Sequence, residues 1–127
     1  VNINPQQGLK MPYSSSYVMP VEALKLVVAL DGIYIDDKKI VDLKEGQIGQ
    51  ELLDPNDQYF IKKLYSELDK QANRSKEIAE ENKDHKFDGK VVMQADSRLH
   101  YQLLKKVMYT SSLAGYADLK LATLSYE

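Results

Sequence analysis

Apolar residues in this chain follow two spacings that take turns along it, and that alternation limits the fold class more than any other feature. Strand-length apolar runs sit at Ala23–Leu30, Ile33–Ile35 and Val91–Met93, and Asp118–Tyr126 alternates apolar with polar residues. Between them, Ile61, Leu64, Leu68 and Ala72 recur every three or four positions, the spacing of one helical face. Leu99, Leu103, Leu104, Val107, Met108 and Ser111 repeat the pattern. The order predicts an α+β fold, β-β-α-β-α-β. A four-stranded sheet with two helices on one face, a two-layer sandwich, would bury both stripes. The strand-helix-strand crossover near the C-terminus is right-handed by default. A chain of 127 residues is long enough to bury such a core without a disulfide or metal.

Local signals place the joints. Asp31-Gly32 between two apolar runs predicts a hairpin, Asp36 to Lys39 a polar turn, and Ile40-Val41 a return to extended backbone. Asp54-Pro55 reads as a helix start, with aspartate as N-cap and proline at the first helical position. The stripe thins after Ala72, and Asn82–Gly89 reads as a loop. Asp96 or Ser97 is placed to cap the second helix and Gly115 to end it in the left-handed region. In the last strand, Leu119, Leu121 and Thr123 point one way and Lys120, Ala122, Leu124 and Tyr126 the other. A strand at the chain terminus can form a sheet edge, a template for pairing with a second chain. Lys120, Ala122, Leu124 and Tyr126 are therefore the candidate dimer or partner strand.

Residues 1–19 differ in kind. Their only charge is Lys10, and they carry Pro5, Gly8, Pro12 and three consecutive serines from Ser14. They read as a flexible linker before a folded domain at 20–127, with Tyr13, Tyr17, Val18 and Met19 able to dock on a surface. The longest apolar run, Leu26 to Leu30, is far below the roughly 20 residues that cross a bilayer. Opening on Val1 rather than Met is expected of a piece cut from something longer.

Little in the sequence suggests catalysis. The absence of cysteine excludes a thiolate zinc site and a cysteine nucleophile. His85 and His100 stand in no metal-binding spacing, and no phosphate loop, dinucleotide fingerprint or nucleophile elbow occurs. Asp36-Asp37 and Glu80-Glu81 read as turn and helix-surface pairs, and Asn73-Arg74-Ser75 is a weak glycosylation match in a helical stretch. No cofactor is expected. Lys+Arg of 17 against Asp+Glu of 19 removes the basic footprint of a nucleic-acid binder.

The stretch from Lys90 to Leu124 resembles the C-terminal half of the ExbD/TolR family of biopolymer transport proteins. The likeness rests on an apolar strand (Val91, Met93) ending in Ala95-Asp96, then Leu99 and Tyr101 opening a helix. Val107-Met108 lie within that helix, Ala114-Gly115 close it, and an alternating strand follows with Leu119 and Leu121. The hairpin around Asp31-Gly32 resembles the family's first strands, and Leu9-Lys10-Met11-Pro12 the linker after its membrane helix. The segment from Ile40 to Lys90 is longer than the family's, so a longer first helix or an extra element is expected there.

The resemblance implies a single-pass bacterial inner-membrane protein driven by the proton motive force, with this domain in the periplasm. Its partners would be a second copy, an ExbB/TolQ-like proton-channel subunit, and a TonB/TolA-like periplasm-spanning protein or peptidoglycan. The family's proton-carrying aspartate lies in a membrane helix absent from these residues, and no aspartate here inherits its role. The rival readings are a passive periplasmic peptidoglycan- or protein-binding module and a small hydrolase.

Overall fold

The computed structural model describes residues 23–81 and 86–125. In chain order the elements are β1 (Leu24–Val28), β2 (Gly32–Ile35), β3 (Lys38–Asp42), β4 (Leu53–Asp54), β5 (Asp57–Ile61), α1 (Lys62–Glu81), β6 (Lys90–Asp96), α2 (Tyr101–Leu113) and β7 (Asp118–Leu124). A five-stranded mixed sheet runs β3-β2-β1-β6-β7, and β4 and β5 make a separate two-stranded ribbon. β1-β2 and β2-β3 are antiparallel, whereas β6 lies parallel to both β1 and β7.

The α+β class and the two helices match the sequence reading, but the expected four-stranded sheet gains a strand. Ile40 and Val41 belong to a full strand, β3, joined to β2 by Asp36 and Asp37 alone. Both aspartates have positive φ, 47° and 72°, the conformation a two-residue hairpin loop needs to match strand twist. Asp36 is held there by accepting the Lys25 backbone N–H at 3.1 Å, and Asp37 by the Lys25 ammonium at 2.7 Å. The hairpin at Asp31-Gly32 is present, with Val27 opposite Tyr34. Gly32 serves it through space rather than φ, because a Cβ there would lie 2.8 Å from the Val41 carbonyl oxygen.

The helix start at Asp54-Pro55 is overturned. Those residues turn the β4-β5 ribbon, where Asp54 accepts the Asn56 N–H at 2.7 Å, and α1 begins at Lys62. An aspartate followed by proline suits a β-turn as well as a helix cap, because both place a side-chain acceptor two residues before a free N–H. The ribbon and the 20-residue α1 together account for the long segment before Lys90. The second helix is likewise capped later than expected: Asp96 ends β6, Ser97 follows it, and His100 occupies the N-cap position without a side-chain cap bond.

One apolar core joins the layers. Leu26, Val28, Ile33, Val91 and Met93 from the sheet meet Leu64 and Leu68 of α1 and Leu103 and Val107 of α2. Both helical stripes thus pack against the same sheet face. The other face carries Tyr34, Val27, Gln94 and Ala122 in one row across four strands. The linker reading of residues 1–19, His85 and Tyr126 fall outside the described residues, as does part of the loop at Asn82–Gly89.

Candidate functional site

The sheet has two outer strands, and they are unlike. β3 exposes Lys38, Lys39 and Asp42, and Lys39 reaches Asp42 at 3.3 Å and Asp31 at 3.5 Å. Charges of this density blunt an edge against pairing. β7 carries only Asp118 and Lys120 as charges, has no proline, and among the described residues pairs on one side alone. Among the described residues β7 is thus the outer strand less guarded by charge.

Its position is fixed at both ends. Gly115, at φ 103°, turns the chain out of α2, and the Ser111 hydroxyl donates to the Tyr116 carbonyl at 2.8 Å. The Asp118 N–H then donates to the Gly89 carbonyl at 3.1 Å, and the Ser97 N–H to the Leu124 carbonyl at 2.8 Å. Gly89 itself has φ 68° and lies so close to Gly115 that a Cβ would collide with that residue's carbonyl oxygen.

Lys120, Ala122 and Leu124 share a face, as alternation requires, and Lys120 is exposed. Ala122 and Leu124 are not the open apolar positions the sequence suggested: they are 2% and 0% exposed. Leu121, placed on the core side, is instead 43% exposed. It lies opposite Met93 on the helix face but at the sheet's rim, where among the described residues one flank has no neighbouring strand. Sequence alternation identifies two faces but not how far the helices extend over either, so Leu121 was missed.

The residues that carry the family resemblance have structural work to do. Ala95 is in the core, and Leu99 packs where a Cβ on Gly46 would meet it at 2.9 Å. Tyr101 is 64% exposed at the start of α2, with the Lys105 ammonium 5.6 Å from its ring centre. Asp96 is buried and accepts three bonds from Arg98: the backbone N–H at 2.9 Å, Nε at 3.0 Å and Nη2 at 2.6 Å. The guanidinium, more than the backbone bond, holds its carboxyl below the ordinary carboxylate range, against the opposing effect of burial.

A depressed folded-state pKa contributes stability above the unfolded value, near 4, and loses it as pH falls through the folded value. Asp96→Ala is expected to cost about 2 kcal/mol at pH 7, a figure that discounts the solvent-facing side of Arg98. The gap from wild type should narrow below about pH 4, as followed by urea unfolding across pH.

Two further features stand apart from β7. Tyr59, Tyr101 and Tyr109 form an exposed patch with Lys105 and Lys106, the latter 4.5 Å from the Tyr59 ring centre. The Tyr109 hydroxyl donates to Asp57 at 2.6 Å, and that bond, with some desolvation, raises its pKa. A cleft of about 410 Å³ opens beside Ala23, Asp36, Ser75, Phe87 and Tyr116. Burial raises the Tyr116 pKa, opposed by a hydrogen bond with Ser75. Among the described residues no three histidines, cysteines or carboxylates gather in a way that could hold a metal, and His100 is exposed. No helix among them is long and apolar enough to cross a membrane.

A family model described as biopolymer transport protein ExbD/TolR matches residues 2–125, nearly the whole chain. No curated protein and no solved structure matches.

Proposed function

The chain belongs to the ExbD/TolR family of biopolymer transport proteins, and on that premise we propose that it is the periplasmic domain of a proton-motive-force-driven inner-membrane subunit. The match over residues 2–125 carries this reading. In it, an ExbB/TolQ-like channel subunit and a membrane helix preceding Val1 use proton flow. The folded domain works as a homodimer and passes force to a TonB/TolA-like periplasm-spanning protein or to peptidoglycan. The task is mechanical, and it asks for a grip and a tether rather than a reaction centre.

The grip is β7. Strand addition binds through backbone hydrogen bonds and tolerates varied side chains, which suits either a second copy or an extended partner segment. Residues 1–19 are the tether between this body and the membrane, with a reach of up to about 3.3 Å per residue.

Leu121→Lys tests the dimer. Placing like charges at the joined edges should weaken dimerisation at least about tenfold, roughly 1.4 kcal/mol, while leaving the fold intact. Sedimentation velocity reads this directly, and an unchanged dimer would remove β7 from the interface.

Sequencing the gene upstream of the Val1 codon tests the coupling. An apolar stretch of about 20 residues bearing one aspartate is expected, because an ionisable group in lipid is costly and usually functional. A cleavable signal peptide would leave the passive binding module instead.

A further inference from the structure

We propose that the outer face of α2, with Tyr59 of β5 beside it, is a docking strip for an acidic segment of a partner protein. Six large hydrophobic side chains are exposed among the described residues, and four of them, Tyr59, Tyr101, Tyr109 and Leu113, gather here. Tyr101, Lys105, Tyr109 and Leu113 follow one another at intervals of four, so they line one side of the helix. At 1.5 Å per residue the strip from Tyr101 to Leu113 runs about 18 Å, the length of about five extended residues.

The strip is also of one sign. Tyr101–Leu113 contains no Asp or Glu, although the whole chain carries a net charge of -2. The Lys105 ammonium lies 5.6 Å from the Tyr101 ring centre and 5.9 Å from that of Tyr59, and Lys106 covers Tyr59 at 4.5 Å. Among the described residues neither ammonium meets a carboxylate. A ring face attracts a cation without cancelling its charge, so both remain open to an anion. Asp57 borders the strip and is occupied by the Tyr109 hydroxyl, 2.6 Å away.

The rings are in place before any partner arrives. Tyr59 and Tyr109 meet edge to face at 6.2 Å, and the Tyr59 hydroxyl donates to Gln102 Oε1 at 3.3 Å. The Thr110 hydroxyl accepts the Ile61 N–H at 3.1 Å, which ties β5 to α2. Tyrosines fixed in this way lose little entropy on binding and offer apolar faces. The chemistry that fits is a segment with carboxylates set beside apolar side chains.

A protein segment suits the strip better than an anionic membrane does. β1, β6 and β7 run parallel and start together at Leu24, Lys90 and Asp118. Helix α2 follows the far end of β6, so Tyr101, the most exposed ring, sits away from the end at which residues 1–22 join the fold. A membrane holding the chain from that side lies at the other end. The proposal rests neither on the coupling role nor on pairing at β7.

Amide chemical-shift titration of the full chain tests it with the blocked nonapeptide Gly-Glu-Leu-Glu-Ser-Glu-Leu-Glu-Gly. Shifts are expected in Asp57–Ile61 and Tyr101–Leu113. They should saturate with a Kd below about 1 mM and weaken severalfold between about 50 and 300 mM salt. The same peptide with glutamine for every glutamate should bind at least about tenfold more weakly. That comparison leaves the protein unchanged, so it decides the matter even where a variant is unstable. Lys105→Gln with Lys106→Gln should lose at least about fivefold in affinity, and Tyr101→Ala at least about threefold. A loss in the lysine variant with none in Tyr101→Ala would mean diffuse charge attraction and would overturn the strip. So would the absence of binding, shifts confined to β7, or a response of these residues to phosphatidylglycerol vesicles but not to the peptide.

Discussion

Leu124→Asp is expected to unfold the domain rather than merely split a dimer. Leu124 is fully buried and sits opposite Asp96, a carboxylate already buried and committed to Arg98. The substitution removes a large apolar side chain, worth roughly 3–5 kcal/mol in a core. It also buries a second negative charge beside the first. A loss of at least about 4 kcal/mol follows, most of the stability of an ordinary domain at its lower end. Urea unfolding should show a collapsed midpoint or no cooperative transition at 25 °C. The contrast with Leu121→Lys, three residues away and expected to keep its midpoint, makes the test specific. A wild-type midpoint for Leu124→Asp would mean that this side chain faces water.

Gly89→Ala should be the most damaging glycine-to-alanine change among the described residues. The backbone at Gly89 has φ 68°, where a Cβ costs about 1–2 kcal/mol, and the added carbon would strike the Gly115 carbonyl oxygen. Backbone on both sides leaves no flexible side chain to give way, so the total should be about 2–4 kcal/mol. For a domain of this size that is a fall of roughly 10 °C in Tm, readable by circular dichroism. Gly115→Ala provides the comparison: its φ is 103°, but the nearest atoms to an added Cβ belong to the Phe87 ring at 3.6 Å. It should cost visibly less. Equal losses at both positions would mean that φ alone, and not the close approach, sets the penalty.

Periodicity made the helices and the inner strands legible. Leu64, Leu68 and Ala72 lie buried where the stripe put them, and so do Leu103 and Val107. What periodicity cannot express is competition between turn chemistries. Asp54-Pro55 satisfies the rules for a helix start, and only its place between two short paired strands makes it a turn. Asp36-Asp37 lacks the glycine that usually marks a two-residue hairpin loop, and Lys25 holds both carboxylates there instead.

The candidate site was harder, because it depends on the order of strands in space. Nothing in Asp118–Leu124 says that β7 lies outermost, or that Leu121 on the helix side would be left open while Leu124 was sealed. Arg98 was overlooked for a similar reason. An Asp-x-Arg spacing is common, and it becomes a buried carboxylate's partner only when β6 ends where it does. Ala95-Asp96 and Ala114-Gly115 carry the likeness to ExbD/TolR proteins, and the family match over residues 2–125 agrees with it.

The central place of β6 has a consequence in time. Its two neighbours are β1, more than sixty positions earlier, and β7, at the far end of the chain. Parallel pairings across such separations must close long loops before they return any stabilisation, which slows folding and raises contact order. Helix α1 and the β1–β3 meander can form early from local contacts, but β1 gains its parallel neighbour only when Lys90–Asp96 arrives, and β7 can pair only after that. A chain emerging N-terminus first therefore holds the β1–β3 meander and α1 before it holds the strand that joins the two sides of the sheet. Any factor that holds back β6 holds back the joining of β1 to β7.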